Sequence, residues 1–224
     1  MEQLQRVGEQ DTSTLQQPNS TTNPFDYQQA WEWLEKKGKQ VYGQKFRLHE
    51  EDSVIINTLL CYFLQDHFTA SMLQINLNKG ILLSGPIGCG KTSLMRLMMF
   101  LCLPKLRHVM KVCRDVSFEF INDGYEVLQR YGRYRSNTLE TGILCFDDLG
   151  TEKNLKYYGN ECNVMAEILL MRYELFVARG VVTHVTTNLN ASEMEGAYGN
   201  RVRSRLREMF NLVAFERSAV DKRK

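Results

Sequence analysis

The segment from Gly85 to Thr92, with the sequence GPIGCGKT, restricts the fold of this chain more than any other feature. It follows a short apolar run at residues 81–83 and precedes residues 93–98, whose composition is typical of a helix. This is the strand–loop–helix context that the phosphate-binding pattern G-x-x-x-x-G-K-[ST] requires. Glycines let backbone N–H groups turn towards an anion, and the next helix directs the positive end of its dipole to the same point. The alternative is a glycine-rich turn that carries a lysine by chance, but such a turn would not require a strand before it and a helix after it.

The residue types in this loop predict how a nucleotide would be held. Lys91 is expected to contact the β- and γ-phosphates, and the Thr92 hydroxyl to bind Mg²⁺. We therefore predict ATP and Mg²⁺ as cofactors. The predicted nucleotide-binding residues are those of the loop and the first residue after it: Gly85, Pro86, Ile87, Gly88, Cys89, Gly90, Lys91, Thr92 and Ser93.

Length and composition are those of an ordinary soluble domain. The chain has 224 residues, 43% hydrophobic and 24% charged, with a net charge of +2 that by itself gives no argument for nucleic-acid binding. The six cysteines form no C-x-x-C pair, which favours reduced thiols and a cytoplasmic location. No signal peptide and no apolar run near the length of a membrane span is present, so we expect no membrane association.

The chain divides into three predicted segments. Residues 1–23 are rich in Gln, Ser, Thr and Asn and predict a disordered tail. Residues 24–48 predict a short helical segment for a partner protein, with a basic loop at 37–47. Residues 49–224 predict the nucleotide-binding domain, in which strands and helices alternate. This alternation predicts an α/β fold with a parallel five-stranded sheet and helices on both faces, and phosphate at the carboxyl ends of the strands. The predicted strands are 81–83, 116–121, 143–146, 181–187 and 212–215, and a long helix is predicted at 160–179.

Polar residues follow two of these strands. Asp147 and Asp148 come directly after four apolar residues, as expected of a strand whose first acid helps to hold Mg²⁺ and whose second orients or deprotonates the attacking water. We assign Asp147 to the metal and Asp148 to the water, although two acids after a strand can also form a turn. Asn188 ends the strand at 181–187, where it could reach the γ-phosphate or could simply form a turn.

An arginine-rich stretch follows near the end of the chain. In a helix, Arg201 and Arg205 share one face, as do Arg203 and Arg207. A solvated basic face explains this pattern. The alternative is an arginine supplied to a neighbouring subunit, where it would stabilise the charge that develops on the γ-phosphate.

Together these motifs resemble the AAA+ ATPases, and within them the DnaC-like and IstB-like group of helicase loaders and transposition ATPases. The resemblance rests on the phosphate-binding loop and three further motifs, and covers about residues 50–217. Those motifs are Asp147-Asp148-Leu149-Gly150, Thr186-Thr187-Asn188 and Arg201-Val202-Arg203-Ser204-Arg205-Leu206.

This resemblance implies roles and partners. It makes Asn188 a sensor of the γ-phosphate and Arg205 the best candidate for the arginine that acts on the neighbouring subunit, with Arg201 beside it. It further implies a homo-oligomer in the ATP-bound state and a replicative helicase or a transposase as partner. Only nine residues follow Phe215, too few for the helical lid of many AAA+ modules, which leaves Arg223 as a stand-in for the lid arginine.

Two questions stay open at the sequence level. Single-stranded DNA could bind an aromatic and basic stretch, although a solvated loop explains that composition equally well. The residues concerned are Arg130, Tyr131, Arg133, Tyr134 and Arg135. The alternatives to a helicase loader are an IstB-like transposition helper, a small P-loop kinase acting on a metabolite, and an adaptor that binds ATP with little turnover.

Overall fold

A five-stranded parallel sheet forms the centre of the molecule in a computed structural model, which describes residues 25–133, 142–152, 155–157 and 160–223. The predicted disordered tail lies outside these residues. Along the sheet the strand order is β2-β3-β6-β1-β7. The strands are β1 (Gly80–Ser84), β2 (Val109–Val112), β3 (Leu144–Leu149), β6 (Thr183–Thr187) and β7 (Phe210–Ala214). Two further short strands, β4 (Leu155–Tyr157) and β5 (Asn160–Cys162), form a separate antiparallel pair.

Helices cover both faces of the sheet, as the alternating pattern predicted. Their bounds are α1 (Tyr27–Tyr42), α2 (Ser53–Leu64), α3 (His67–Met72), α4 (Lys91–Leu101), α5 (Cys113–Asp123), α6 (Glu126–Gly132), α7 (Val164–Arg179) and α8 (Ala191–Met209). The apolar core has two parts, one on each face. One packs α1, α2 and α4 against β1, and the other packs α5 to α8 against β3 and β6. In α1, Leu34 is fully buried in the first part, so this helix belongs to the same packed unit.

The predicted strand at residues 116–121 is wrong, because this segment lies within helix α5. Val116 and Phe120 are buried one helical turn apart, whereas Phe118 and Ile121 are about half exposed. The alternation of residue types in V-S-F-E-F-I therefore resembles a strand while the burial follows the helical period. The sheet instead uses β2, a four-residue strand that pairs with β3 and that we did not predict.

Two predicted boundaries also need correction. The segment at 37–47 is not all loop, since α1 continues to Tyr42 and ends at Gly43, whose φ is 97°. The long helix predicted from residue 160 begins at Val164, because Asn163 caps its N-terminus by accepting a hydrogen bond from the Ala166 N–H. At the other end, Gly180 terminates α7 in the left-handed conformation.

After β7, residues 215–223 contain no helix, in agreement with the predicted absence of a helical lid over this range. The segment instead turns back across the carboxyl end of the sheet. Within the part of the chain that the structure describes, no helix is long and apolar enough to cross a membrane. All six cysteines are buried and unpaired.

Candidate nucleotide-binding site

The phosphate-binding loop lies between β1 and α4, at the carboxyl edge of the sheet. Gly88 and Gly90 have φ values of 84° and 100°, a region that favours glycine. The loop borders a cavity of about 380 Å³. Residues 87–93 line it, together with Asp148, Thr151 and Asn188 from the neighbouring strand ends. The fold thus brings the predicted loop and two of the predicted strand-end residues to one place.

Lys91 lies at the centre of this site. Its ammonium donates hydrogen bonds to the Gly85 and Pro86 carbonyls, both at 2.8 Å, and to Asn188 Oδ1 at 2.6 Å. Burial lowers the pKa of Lys91, and the charge of Asp148 is among the effects that oppose this shift. The amine is thus held by neutral oxygens and directed into the cavity that the loop surrounds. Asn188, which the resemblance makes a sensor of the γ-phosphate, directly contacts the loop lysine.

Asp147 and Thr92 lie close enough to share a metal ion. The Thr92 hydroxyl donates to Asp147 Oδ1 at 3.0 Å. The Thr186 hydroxyl donates to the same oxygen at 2.6 Å, and Asp147 is only 3% exposed. Hydroxyl and carboxylate oxygens are the ligands that Mg²⁺ accepts, usually with several waters. The residues present therefore fit Mg²⁺: Thr92 and Asp147 would be the protein ligands, and the Thr186 hydroxyl would orient the carboxylate.

Asp148 differs from Asp147 in conformation and exposure. The φ of Asp148 is 57°, which is uncommon for a residue with a side chain. Its backbone N–H is held in place because it donates a hydrogen bond to Thr186 Oγ1 at 2.9 Å. Burial and then the charge of Asp147 raise the pKa of Asp148, while Lys91 and Arg223 oppose the shift. A carboxylate with a raised pKa that borders the cavity is suited to accept a proton from water.

Two further walls of this cavity come from segments far from the loop in sequence. One comes from residues 45–49 and Asp52, which we had assigned in part to a partner-binding segment. The other comes from Lys222 and Arg223 of the C-terminal segment. The Lys222 N–H donates to the Gly88 carbonyl at 3.1 Å, and the Lys222 ammonium forms an ion pair with Asp52. Arg223, which the resemblance offered as a stand-in for the lid arginine, lines the cavity, whereas no local pattern linked residues 45–52 to the loop.

The predicted arginines do not line this cavity. Arg201 and Arg205 lie in the second half of α8, beyond a break at Gly199. The Arg205 guanidinium lies 4.4 Å from the centre of the Tyr173 ring and pairs with Glu208 at 3.3 Å. Arg201 is exposed and forms no ion pair with the residues described. Neither arginine therefore reaches the cavity of its own chain in this structure.

The aromatic and basic stretch has structural contacts at its start. The Arg130 guanidinium pairs with Glu119 and Asp123, both at 2.7 Å. Tyr131 is buried and donates to Glu119. These contacts occupy the groups that were expected to meet DNA. Arg133 is exposed, whereas Tyr134 and Arg135 lie outside the described residues.

Comparison with known proteins gives matches at the level of structure. No family model and no curated protein matches the sequence. A candidate primosome component from Streptococcus pyogenes serotype M3 superposes with a TM-score of 0.52 and 17% identity, over 77% of this chain and 83% of that one. This chain therefore has the same α/β fold as that structure.

Two other solved structures superpose with lower TM-scores. The structure of the DnaC helicase loader gives a TM-score of 0.46 and 20% identity, over 67% of this chain and 90% of that one. The structure of AMPPCP-bound DnaA from Aquifex aeolicus gives a TM-score of 0.48 and 17% identity, over 76% of this chain but only 48% of DnaA. This chain thus spans about half the length of DnaA.

Proposed function

We propose that this protein binds and hydrolyses ATP with Mg²⁺, and that it acts in DNA replication as a DnaC-like helicase loader. The observation that carries the first part is the convergence of Lys91, Asn188, Asp147 and Thr92 at one edge of the sheet, with Lys91 Nζ to Asn188 Oδ1 at 2.6 Å and Thr92 Oγ1 to Asp147 Oδ1 at 3.0 Å. A lysine, two metal-ligand oxygens and a polar sensor are the groups that phosphoryl transfer requires.

Each residue has a role in the proposed reaction. Lys91 binds the β- and γ-phosphates, and Thr92 and Asp147 hold Mg²⁺, which neutralises charge on the phosphates when it is bound. Asp148 orients the attacking water and takes up its proton, for which its raised pKa is favourable. Asn188 holds Lys91 in place and can donate its amide hydrogens to the γ-phosphate or the water.

Full activity in this proposal requires a homo-oligomer. The basic residues that the C-terminal segment brings to the cavity are Lys222 and Arg223, and the arginines of α8 do not line the cavity of their own chain. We propose that Arg205 or Arg201 reaches the γ-phosphate bound to the adjacent subunit. Arg201 has the exposed guanidinium, whereas Arg205 would first have to leave Tyr173 and Glu208.

The replication role is supported by the motif resemblance and by the fold shared with a candidate primosome component. The proposed partner is a replicative helicase, with a transposase as the alternative. Single-stranded DNA remains a proposed ligand, and Arg133 is the exposed member of the basic stretch within the described residues. A metabolite kinase is not favoured by any contact in the site.

The test is the steady-state ATPase rate as a function of protein concentration, with and without single-stranded DNA. We expect the rate per subunit to increase with concentration and to increase further with DNA. The matched controls are Lys91→Ala, which should abolish binding, and Lys105→Ala, an exposed lysine outside the site. A rate per subunit that stays constant with concentration would contradict hydrolysis in trans, and the absence of any Lys91-dependent ATPase would contradict the function itself.

A further inference from the structure

Asp147 and Asp148 lie on a bulge of the central sheet. Strands β3 and β6 pair in regular register up to residue 146 of β3, and the pairing resumes at residue 149. Between these points two residues of β3, Asp147 and Asp148, lie opposite Thr186 alone. A strand with one extra residue of this kind contains a β-bulge, which changes the direction of side chains and is frequent beside active sites.

The bulge lets two consecutive carboxylates approach the same nucleotide cavity. In a regular strand, consecutive side chains point to opposite faces of the sheet. Here Asp147 contacts Thr92 at the start of α4, and Asp148 lines the cavity that Thr92 also borders. The backbone of Asp148 makes this possible, because its φ of 57° departs from the strand conformation. Both acids can therefore act on one bound nucleotide.

A single hydroxyl group holds both residues of the bulge. The Thr186 hydroxyl donates its one hydrogen to Asp147 Oδ1 at 2.6 Å. Its oxygen accepts a hydrogen bond from the Asp148 N–H at 2.9 Å. The extra residue of a bulge is left out of the backbone ladder, so this side-chain oxygen replaces the missing backbone acceptor. Thr186 is fully buried, and solvent has no access to either bond.

A second threonine holds the other side of Asp148. Both the N–H and the hydroxyl of Thr151 donate to the Asp148 carbonyl, at 3.2 and 2.7 Å. The left-handed conformation of Asp148, which is unfavourable for a residue with a side chain, is thus fixed at its N–H and at its carbonyl. Thr151 is exposed at the cavity, whereas Thr186 is buried behind the acids. Thr186 therefore provides the contact that solvent cannot replace.

We infer that Thr186 is a positioning residue of the proposed reaction, whose hydroxyl maintains the bulge and thereby sets the metal-binding and the water-orienting carboxylate together. The inference rests on the proposed function, in which Asp147 holds Mg²⁺ and Asp148 orients the attacking water. It extends that function by one residue that does not line the cavity and yet controls the geometry of both acids. Groups that orient a metal ligand from behind typically change metal affinity or activity by about 10- to 100-fold.

The test uses three substitutions of Thr186 and one matched control. Thr186→Val and Thr186→Ala both remove the hydroxyl, the first with the side-chain size retained and the second without a new methyl group beside the carboxylate. Thr186→Ser keeps the hydroxyl. The control is Thr183→Val on the same strand: Thr183 is 2% exposed, and its hydroxyl accepts a hydrogen bond from Arg172 Nε at 2.8 Å rather than contacting either acid. If both hydroxyl-free variants fail to fold while Thr183→Val folds, Thr186 is a residue of stability and the inference is overturned.

The first measurement is hydrogen exchange of the Asp148 amide, followed by NMR in the nucleotide-free protein. We expect this amide to exchange about tenfold faster in Thr186→Val and Thr186→Ala than in the wild type, relative to the other amides of β3, because it has lost its acceptor. Thr186→Ser and Thr183→Val should resemble the wild type. Equal protection of the Asp148 amide in all five proteins would show that Thr186 does not hold the bulge.

The second measurement is the Kd of the non-hydrolysable analogue AMPPCP, by isothermal titration calorimetry in Mg²⁺ and in EDTA. The ratio of the two values reports the contribution of the metal to binding. We expect this ratio to fall about tenfold in Thr186→Val and Thr186→Ala and to stay at the wild-type value in Thr186→Ser and Thr183→Val. A ratio that is unchanged in the hydroxyl-free variants, or that falls equally in Thr183→Val, overturns the inference. No binding of AMPPCP by the wild type would instead refute the proposed function, while the Asp148 amide would still report whether Thr186 holds the bulge.

The ATPase rate at saturating Mg²⁺ separates the two acids. The maximal rate of assembled Thr186→Val should stay about tenfold or more below that of the wild type, because added Mg²⁺ does not return Asp148 to its position. Thr186→Ser should restore the rate. Full recovery of Thr186→Val at high Mg²⁺ would confine the effect of Thr186 to the metal and contradict its control of Asp148.

Discussion

Asp52 and Lys222 form an ion pair across the mouth of the nucleotide cavity, although they lie at opposite ends of the folded domain in sequence. The side chains are 7% and 14% exposed, and burial lowers the pKa of Lys222. The pair joins the wall before α2 to the C-terminal segment, which also contacts the loop through Gly88. This ion pair therefore links two walls of the cavity, one from the segment before α2 and one from the C-terminal segment.

Breaking this pair should accelerate nucleotide release. We expect Lys222→Met to raise the dissociation rate of a fluorescent ATP analogue about tenfold, which corresponds to about 1.4 kcal/mol, because an unpaired buried carboxylate destabilises the closed wall. The charge exchange Asp52→Lys with Lys222→Asp should restore most of the wild-type rate. Stopped-flow displacement measures this, with Lys105→Met as control, and an unchanged rate in Lys222→Met would show that the pair does not close the site.

The contact between Lys91 and Asn188 predicts a defect in turnover rather than in binding. Asn188→Ala should lower the maximal ATPase rate about a hundredfold, as the loss of one well-placed polar group in a catalytic site does, and change the nucleotide Kd by less than about threefold. Asn190→Ala provides the control, since it removes the cap of α8 two residues away and should cost about 1 kcal/mol of stability without this loss of rate. A large rise in Kd in Asn188→Ala would assign the residue to binding.

The two arginine candidates can be separated by complementation. If an arginine acts in trans, its replacement by alanine should lower the ATPase rate of the assembled protein about a thousandfold or more. Mixing that variant with Lys91→Ala subunits should restore activity, because each then supplies what the other lacks. We expect this behaviour from Arg201→Ala or Arg205→Ala, and rescue in neither mixture would exclude action in trans.

Stability separates the same two residues. Arg205→Ala removes the contact with the Tyr173 ring and should cost about 1 kcal/mol, which lowers the melting temperature by about 3 °C in a domain of this size. Arg201→Ala should leave the melting temperature unchanged, since Arg201 is exposed. Differential scanning fluorimetry of the unassembled variants checks this, and equal melting temperatures would show that the Tyr173 contact contributes no stability.

A buried histidine predicts loss of stability in weak acid. Burial lowers the pKa of His108 from 6.5 to about 4, and the residue is only 3% exposed. Between pH 4 and pH 6.5 the unfolded chain binds a proton at His108 that the folded chain does not bind. The free energy of unfolding is therefore not reduced by this residue above pH 6.5, and it falls as the pH decreases towards 4. The loss from this residue is about 3 kcal/mol.

Urea unfolding at pH 7.5 and 5.0 tests this prediction. We expect His108→Leu to lose less stability between the two pH values than the wild type does. The neighbouring His184, whose pKa burial also lowers, keeps part of the dependence. His67→Gln, at an exposed position, should behave like the wild type, and an equal loss in His108→Leu would contradict the assignment.

Local sequence determined the phosphate-binding loop, the strand that ends in Asp147 and Asp148, and the cap of α8. Each depends on neighbours within a few residues, such as the glycines of the loop or Asn190 with Glu193, whose mutual hydrogen bonds the structure contains. Local sequence also misassigned residues 116–121, because a short apolar alternation is compatible with both strand and helix periods when burial is unknown.

Tertiary structure decided which side chains contact one another around the loop. The contact of Asn188 with Lys91 follows from the parallel pairing of β6 with β1, which places the end of one strand beside the loop after the other. The ion pair of Asp52 with Lys222 and the contact of Glu152 with Tyr198 depend on the path of the chain over the sheet. Such contacts join residues far apart in sequence, and no periodicity or spacing encodes them, because they arise only when packing of the core brings those segments together.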